Sequence, residues 1–108
     1  MKLGIYVAAK SSARDLEQHL KYIPDTLLSF GDPDVRAVAR KYKRKLLEVP
    51  IKVLDYPFEE AMRLRKEWLV DNSDCVLVFT CDSDPMGKEI IQYALFTEKP
   101  VKAVDLYI

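Results

Sequence analysis

One stretch decides the fold of this chain: Asp74-Cys-Val-Leu-Val-Phe-Thr-Cys-Asp-Ser-Asp84. Residues 75–80 show no alternation of polar and apolar side chains, which is typical of a strand buried on both faces of a parallel sheet. A polar, acidic loop follows, and Pro85 then opens a helical pattern. That pattern ends before Pro100, and a second apolar run begins at Val101. This is a strand–loop–helix–strand unit, and its polar loop lies at the carboxyl end of a buried strand, where open α/β sheets bind ligands.

The composition predicts a single domain over residues 1–108, with 49% hydrophobic residues for a core. Lys plus Arg and Asp plus Glu both number 17, so the formal net charge is zero. Because non-specific nucleic-acid binding depends on neutralising phosphates, nucleic acid is not the expected partner, although local basic patches are possible. No apolar stretch approaches the roughly 18 residues that cross a membrane, and charged residues follow the apolar N-terminus at once. We therefore expect a cytoplasmic protein with no membrane partner.

The two cysteines, Cys75 and Cys81, begin and end the same extended run. Six residues of strand separate them by about 20 Å, whereas a disulfide needs Cα atoms within about 7 Å. We therefore expect free thiols. Neither the cysteines nor His19 has the spacing of a zinc site, so the sequence predicts no metal and no cofactor.

The rest of the chain alternates between strand-like and helix-like patterns. The predicted strands are residues 2–8, 25–30, 50–54, 75–80 and 101–106. The predicted helices are residues 12–22 with Ser11 or Ser12 as N-cap, a helix capped by Asp34 whose apolar face extends to Leu46, and residues 58–70 and 85–97. This alternation predicts a Rossmann-like three-layer α/β/α sandwich around a five-stranded parallel sheet, in the order 3-2-1-4-5.

The second predicted helix has a basic face, formed by Arg36, Arg40, Lys43 and Arg44. Such a face is usually a solvated helix surface. An acidic partner or a nucleic acid is the alternative interpretation.

Arg65 is an anomaly, because it lies within an apolar helical stripe that includes Phe58 and Leu69. An arginine on such a stripe needs an anionic partner or strong acceptors. One alternative is an internal salt bridge to Asp74 or Asp82, or a side chain that reaches solvent. The other is a ligand anion, since a guanidinium suits phosphate and carboxylate. We predict that the guanidinium lies near the carboxyl ends of the first and fourth strands.

The loop over residues 80–88 offers hydroxyls, carboxylates, a glycine and the amino end of a helix, which together can bind an anion or a ribose. Its two aspartates could accept hydrogen bonds from a sugar or bind Mg²⁺ with a phosphate, or could simply cap the helix. The turns after the first two strands add small and polar residues. The predicted ligand-binding residues are Lys10, Ser11, Ser29, Gly31, Arg65, Thr80, Asp82, Asp84 and Gly87.

The whole pattern resembles the SLOG superfamily, whose Rossmann-like domains include the DprA/Smf proteins and the LOG phosphoribohydrolases. Its C-terminal part is similar to nucleoside 2-deoxyribosyltransferases. The resemblance is carried by Arg65-Lys66, by the run from Asp74 to Phe79, and by Tyr93-Ala94. It implies a pocket for a nucleotide-derived ligand.

Two motifs depart from that family. Its glycine-rich phosphate-binding segment is here Ser29-Phe30-Gly31-Asp32, and its catalytic glutamate falls on Ile90 or Ile91, with Glu89 in the adjacent register. We therefore expect a homodimeric module that senses or sequesters a nucleotide-derived ligand and is not an efficient enzyme. The alternatives are an N-glycosidic hydrolase or transferase that uses Asp82, Asp84 or Glu89, and a degenerate protein-interaction subunit.

Overall fold

A computed structural model of the chain describes residues 1–8, 16–20, 22–50, 55–81 and 83–105. Within these ranges the elements follow one another as strands, one short 3₁₀ helix and three α-helices. They are β1 (Lys2–Val7), the 3₁₀ helix (Leu16–His19), β2 (Thr26–Ser29), α1 (Pro33–Lys41), β3 (Lys45–Glu48), α2 (Phe58–Asp71), β4 (Cys75–Thr80), α3 (Pro85–Phe96) and β5 (Val101–Asp105).

The five strands form one parallel sheet in the order β3-β2-β1-β4-β5, which confirms the predicted fold class and strand order. In the central pair, Gly4 of β1 lies opposite Val76 of β4. From β1 the chain moves outward through β2 and β3, then returns to β4 on the other side of β1. The carboxyl ends of β1 and β4 therefore flank the point where the strand order reverses, which is the usual ligand site of such sheets.

Alternate residues of the strands supply two hydrophobic cores, one on each face of the sheet. Leu77 and Phe79 of β4 pack on the face that α1 covers, with Val35 of that helix. Val76 and Val78 pack on the opposite face, beneath α2 and α3. Each fully buried side chain of this size contributes about 1.5–3 kcal/mol to folding. Helices on both faces make the predicted three-layer sandwich.

The third strand is not where the sequence analysis placed it. The predicted helix through Leu46 is wrong, because α1 ends at Lys41 and Lys43 adopts a positive φ of 55°. β3 then begins at Lys45, and Leu46 and Leu47 pair with Leu27 and Leu28 of β2. Burial against β2 outweighs the helical spacing of Leu46. Of the strand predicted over residues 50–54, Pro50 lies outside any strand and residues 51–54 lie outside the described part.

Two helix boundaries also differ from the prediction. The first predicted helix ends early, because Leu16–His19 forms a 3₁₀ helix and residues 20 and 22 are not helical; residues 12–15 and the proposed caps, Ser11 and Ser12, are not among the described residues. The N-cap of α1 is Asp32 rather than Asp34. Its Oδ1 accepts hydrogen bonds from the N–H groups of residues 34 and 35, at 2.9 and 3.2 Å.

Two large apolar side chains of α2 and α3 are exposed. Phe58, the first residue of α2, is 77% exposed, because it precedes the first buried turn of that helix at Ala61. Leu95 is 63% exposed, because it is rotated by about 100° from the buried Ala94.

Across the described residues, no helix combines the length and the hydropathy that crossing a membrane requires.

Candidate functional site

A cavity of about 560 Å³ lies at the carboxyl ends of β2 and β3. Its walls come from the turn after β2, the first turns of α1, the end of β3 and the middle of α2. The lining residues are Phe30, Gly31, Arg36, Glu48, Val49, Pro50 and Arg65. Two predicted ligand-binding residues, Gly31 and Arg65, therefore meet in one cavity.

Arg65 lines this cavity and carries an unsatisfied donor. Its Nε is buried and has no hydrogen-bond partner among the described residues. The guanidinium lies 6.0 Å from the centre of the Phe30 ring, in a cation–π contact. The salt bridge that was considered with Asp74 is absent, since that carboxylate instead accepts the backbone N–H of Lys2 at 2.7 Å. No carboxylate of the described chain forms an ion pair with Arg65.

The position of Arg65 differs in part from the prediction. It lines a pocket, as expected. However, the strand ends that contribute to this pocket are those of β2 and β3, not those of β1 and β4. The sequence could not show this, because the side chain reaches from α2 across the sheet edge to the ring of Phe30, a contact 35 residues away along the chain.

One wall of the cavity is an ion pair. Nε and Nη2 of Arg36 donate to the two carboxylate oxygens of Glu48, at 2.8 and 3.2 Å. Hydrogen bonding to Glu48 raises the pKa of Arg36 above its ordinary value. The pair closes over Gly31, where a Cβ atom would lie 3.5 Å from both side chains. It joins the start of α1 to the end of β3 and so fixes the shape of the cavity.

Ser29 and Gly31 have structural roles in the turn after β2. Gly31 has a φ of 104°, a region that L-residues rarely adopt. Its N–H donates to Oγ of Ser29 at 3.1 Å, and Ser29 is fully buried. The Ser29 hydroxyl is enclosed and holds the turn, and a ligand contact at Ser29 stays a prediction. Gly31 itself lines the cavity with its backbone.

The loop after β4 is organised around one carboxylate oxygen. Oδ2 of Asp84 accepts hydrogen bonds from the Tyr6 hydroxyl at 2.8 Å, the Thr80 hydroxyl at 3.3 Å and the N–H of Gly87 at 3.2 Å. Asp84 is thus the N-cap of α3. Of the two alternatives for this residue, the structure shows the helix cap. We call Tyr6, Thr80, Asp84 and Gly87 the capping cluster.

The capping cluster is closely packed. Thr80 is buried, and a Cβ atom on Gly87 would lie only 2.1 Å from Oγ1 of Thr80. Burial, and then the hydrogen bond to Asp84, raise the pKa of Tyr6 above its ordinary value near 10. Thr80 and Gly87 therefore serve the cap and leave little room for a ligand between them.

Two aromatic rings connect the capping cluster to the cavity. The rings of Tyr6 and Phe30 meet edge to face, with centroids 5.8 Å apart and an interplanar angle of 73°. The other contact of Phe30 is the Arg65 guanidinium. Sequence analysis missed both aromatic residues. The available signal was a tyrosine near the end of an aliphatic strand, since a buried hydroxyl needs a partner.

Three predicted site residues, Lys10, Ser11 and Asp82, lie outside the described residues. Glu89 is exposed and lines a separate groove of about 450 Å³ between α2 and α3. Ile90, one of the two positions on which the glutamate of the resembled family would fall, is fully buried. Within the described ranges, no three His, Cys, Asp or Glu side chains approach one another closely enough to hold a metal ion.

Comparison of the chain with protein-family models, with curated proteins and with solved structures returned no match.

Proposed function

We propose that this chain is a SLOG-like module that senses or sequesters a nucleotide-derived ligand, and that Arg65 binds the anionic group of that ligand. One observation carries the proposal: Arg65 lines a cavity, and its buried Nε donor has no hydrogen-bond partner among the described residues. The cavity volume is within the range of small-molecule sites, about 300–1,000 Å³.

The energetics favour an anionic ligand. A buried donor without an acceptor costs about 1–3 kcal/mol, so the protein without ligand carries an unfavourable contact at Arg65. A phosphate or carboxylate supplies two oxygens in the geometry that a guanidinium matches. The ring of Phe30 holds the guanidinium in place. A ligand that pairs with the guanidinium of Arg65 would therefore gain affinity.

The helix N-termini favour a ligand with one anionic group. In many nucleotide-binding sheets, a phosphate accepts hydrogen bonds from the first N–H groups of the helix after a strand. Here Asp32 accepts those of α1, and Asp84 accepts that of Gly87 in α3. Both carboxylates would also repel a phosphate. A nucleoside monophosphate or a carboxylate-bearing derivative fits this arrangement better than a pyrophosphate.

The carboxylates argue for binding rather than cleavage of an N-glycosidic bond. Glu48 is the carboxylate that lines the cavity within the described chain, and Arg36 engages both of its oxygens. Asp84 caps a helix, and Glu89 lies in the groove between α2 and α3. A catalytic carboxylate must be held against the sugar with geometry good to a fraction of an ångström.

The test is a thermal-shift screen of nucleoside monophosphates, cyclic dinucleotides and ADP-ribose derivatives, with Arg65→Met and the control Arg63→Met. Arg63 is on the same helix but is exposed and paired with Glu60 and Glu67. A ligand at a hundred times its Kd should stabilise the wild type and Arg63→Met by about 2.7 kcal/mol, and Arg65→Met much less. Equal stabilisation of all three proteins would reject the role of Arg65, and no stabilisation by any compound would reject the proposed ligand class.

A second candidate function is that of a protein-interaction subunit or homodimer. It is favoured by the large apolar side chains that the structure leaves exposed, above all Phe58, Leu95 and Phe96. Light scattering after gel filtration would test it, with dimers expected for the wild type and monomers for Phe96→Ser.

The thiols of Cys75 and Cys81 are both free, which supports a cytoplasmic location.

A further inference from the structure

The strongest concentration of charge lies at the opposite edge of the sheet from the cavity. Residues 40–45 read Arg-Lys-Tyr-Lys-Arg-Lys, five cations in six positions. They cover the last two residues of α1, the turn and the first residue of β3. Because parallel strands begin at one edge and end at the other, this segment lies away from the ends of β2 and β3. We call it the basic corner.

Charge in this chain is separated rather than mixed. Six cations and one carboxylate lie between Pro33 and Lys45, although the whole chain is neutral. The remainder therefore carries five more carboxylates than cations. A zero net charge argues against an anion-binding surface spread over the whole protein, but it does not describe the field at this corner.

Most of the basic corner is unpaired. Arg40, Lys43 and Lys45 are exposed, and none of them forms an ion pair with another described residue. Lys41 pairs with Glu17 at 3.1 Å. Arg44 is partly buried, and its Nε is the other buried donor without a hydrogen-bond partner in the described chain. Arg44 is therefore a fourth cation of the corner that has no carboxylate partner among the described residues.

Helix stabilisation accounts for only part of this cluster. Cations in the last turn, such as Arg40 and Lys41, interact favourably with the helix dipole. Residues 43–45 lie beyond the helix, on a fixed backbone: the N–H of Arg44 donates to Ala39 at 2.8 Å, and that of Lys45 donates to Asp25 at 3.1 Å. The corner is thus a rigid surface that presents cations from a helix, a turn and a strand.

We propose that the basic corner binds the phosphate backbone of double-stranded nucleic acid without reading its sequence. A duplex offers the dense row of phosphates that such a cluster can neutralise. Single strands are usually bound by stacking bases on aromatic rings. Tyr42, the one aromatic residue of the corner, is engaged instead: its hydroxyl donates to Glu17 at 2.6 Å, and the Lys41 ammonium lies over its ring. An anionic membrane is disfavoured, because the six residues present no free apolar side chain for insertion.

The experiment measures duplex binding by fluorescence anisotropy as a function of salt. The variant is Arg40→Gln/Lys43→Gln/Lys45→Gln. The matched control removes three exposed cations elsewhere, Lys2→Gln/Lys88→Gln/Lys102→Gln. Both triple variants change surface residues, so each should fold, and circular dichroism checks this. A 20-base-pair duplex is the probe, with a single strand of equal length, poly-glutamate and anionic lipid vesicles in parallel.

For the four unpaired cations on four phosphates, log K should fall with log salt with a slope of about −3.6 in the wild type and the control. With only Arg44 left of these four, the slope should be about −0.9, and affinity at low salt should fall on the order of tenfold or more. Equal losses in the variant and the control would overturn the proposal, as would an unchanged slope in the variant. Binding of the single strand, poly-glutamate or vesicles as tightly as the duplex would overturn the choice of partner.

Discussion

The turns after β2 and β4 contain the same types of residue but have different roles. Each has a hydroxyl residue at the end of its strand, Ser29 or Thr80, and an aspartate that caps the next helix, Asp32 or Asp84. After β4, the carboxylate of Asp84 collects three donors and the turn is closed. After β2, the turn opens on the cavity that contains Arg65.

The neighbouring elements account for the difference. Tyr6 of β1 donates its hydroxyl to Asp84 in the turn after β4. Arg65 of α2 places a guanidinium beside the turn after β2, and the Nε of that guanidinium has no partner among the described residues. A polar turn at the end of a strand is therefore not in itself a ligand site. It becomes a candidate when a long-range contact leaves a polar group there without a partner.

The largest difference in stability between the two turns is expected when their glycines, Gly87 and Gly31, are replaced. Gly87→Ala should destabilise the protein by about 3 kcal/mol, because the new Cβ would lie 2.1 Å from Oγ1 and 2.7 Å from Cβ of Thr80. Gly31→Ala should cost about 1.5 kcal/mol, since its Cβ would meet Arg36 and Glu48 at an ordinary contact distance of 3.5 Å and only the φ of 104° is strained. Urea unfolding measures both. If Gly31→Ala cost more than Gly87→Ala, the turn after β2 would be the more tightly packed of the two.

The two capping aspartates should differ next. Asp84→Ala should lower the free energy of unfolding by about 2 kcal/mol, because three donors lose their acceptor. Asp32→Ala should cost about 1 kcal/mol, the usual value for a helix N-cap. The comparison again uses urea unfolding, at neutral pH. Equal losses would mean that the Tyr6 and Thr80 bonds contribute nothing beyond an ordinary cap.

Tyr6→Phe should cost about 1 kcal/mol at pH 7 and should also change the response to alkaline pH. The pKa of Tyr6 is raised in the folded state, so above pH 10 the unfolded chain loses this proton while the folded chain keeps it. Stability should therefore fall as the pH rises above 10. Between pH 8 and pH 11 the wild type should lose up to about 1 kcal/mol more than Tyr6→Phe. A parallel decline of the two proteins would show that Tyr6 does not contribute.

The smallest effect on stability is expected at Arg65. Arg65→Met removes the contact with Phe30, worth about 0.5–1 kcal/mol, but also removes an unsatisfied buried donor of similar cost. The free energy of unfolding should stay within about 0.5 kcal/mol of the wild type. A loss above 2 kcal/mol would show that Arg65 has a structural partner, and the binding role would lose its support.

The sequence predicted the parallel sheet because residues 75–80 are apolar without interruption and glycine and proline mark the turns. It misplaced β3 because Leu46 fits helical spacing after Val38 and Tyr42, and a lysine rather than a glycine occupies the positive φ that ends α1. Pairing with β2 decides that segment, and pairing is a long-range property.

The candidate site was predictable only in part, for the same reason. Arg65 was identified because a charge interrupts an apolar stripe. Two contacts of the site depend on which strands are neighbours: the ring of Phe30 contacts the Arg65 guanidinium, and the Tyr6 hydroxyl donates to Asp84. A single residue in the sequence can indicate a charge that needs a partner, but the fold determines which contacts that charge makes.

The most direct test of the central claim follows the Arg65 Nε–H resonance by NMR in ¹⁵N-labelled protein titrated with AMP. The Arg65→Met spectrum assigns the signal, and the Nε–H of Arg63, an exposed arginine of the same helix that is paired with Glu60 and Glu67, is the internal control. We predict that the Arg65 signal shifts in a saturable way while the Arg63 signal does not move. An unmoved Arg65 signal at saturating AMP, with shifts confined to residues 83–87, would contradict the account.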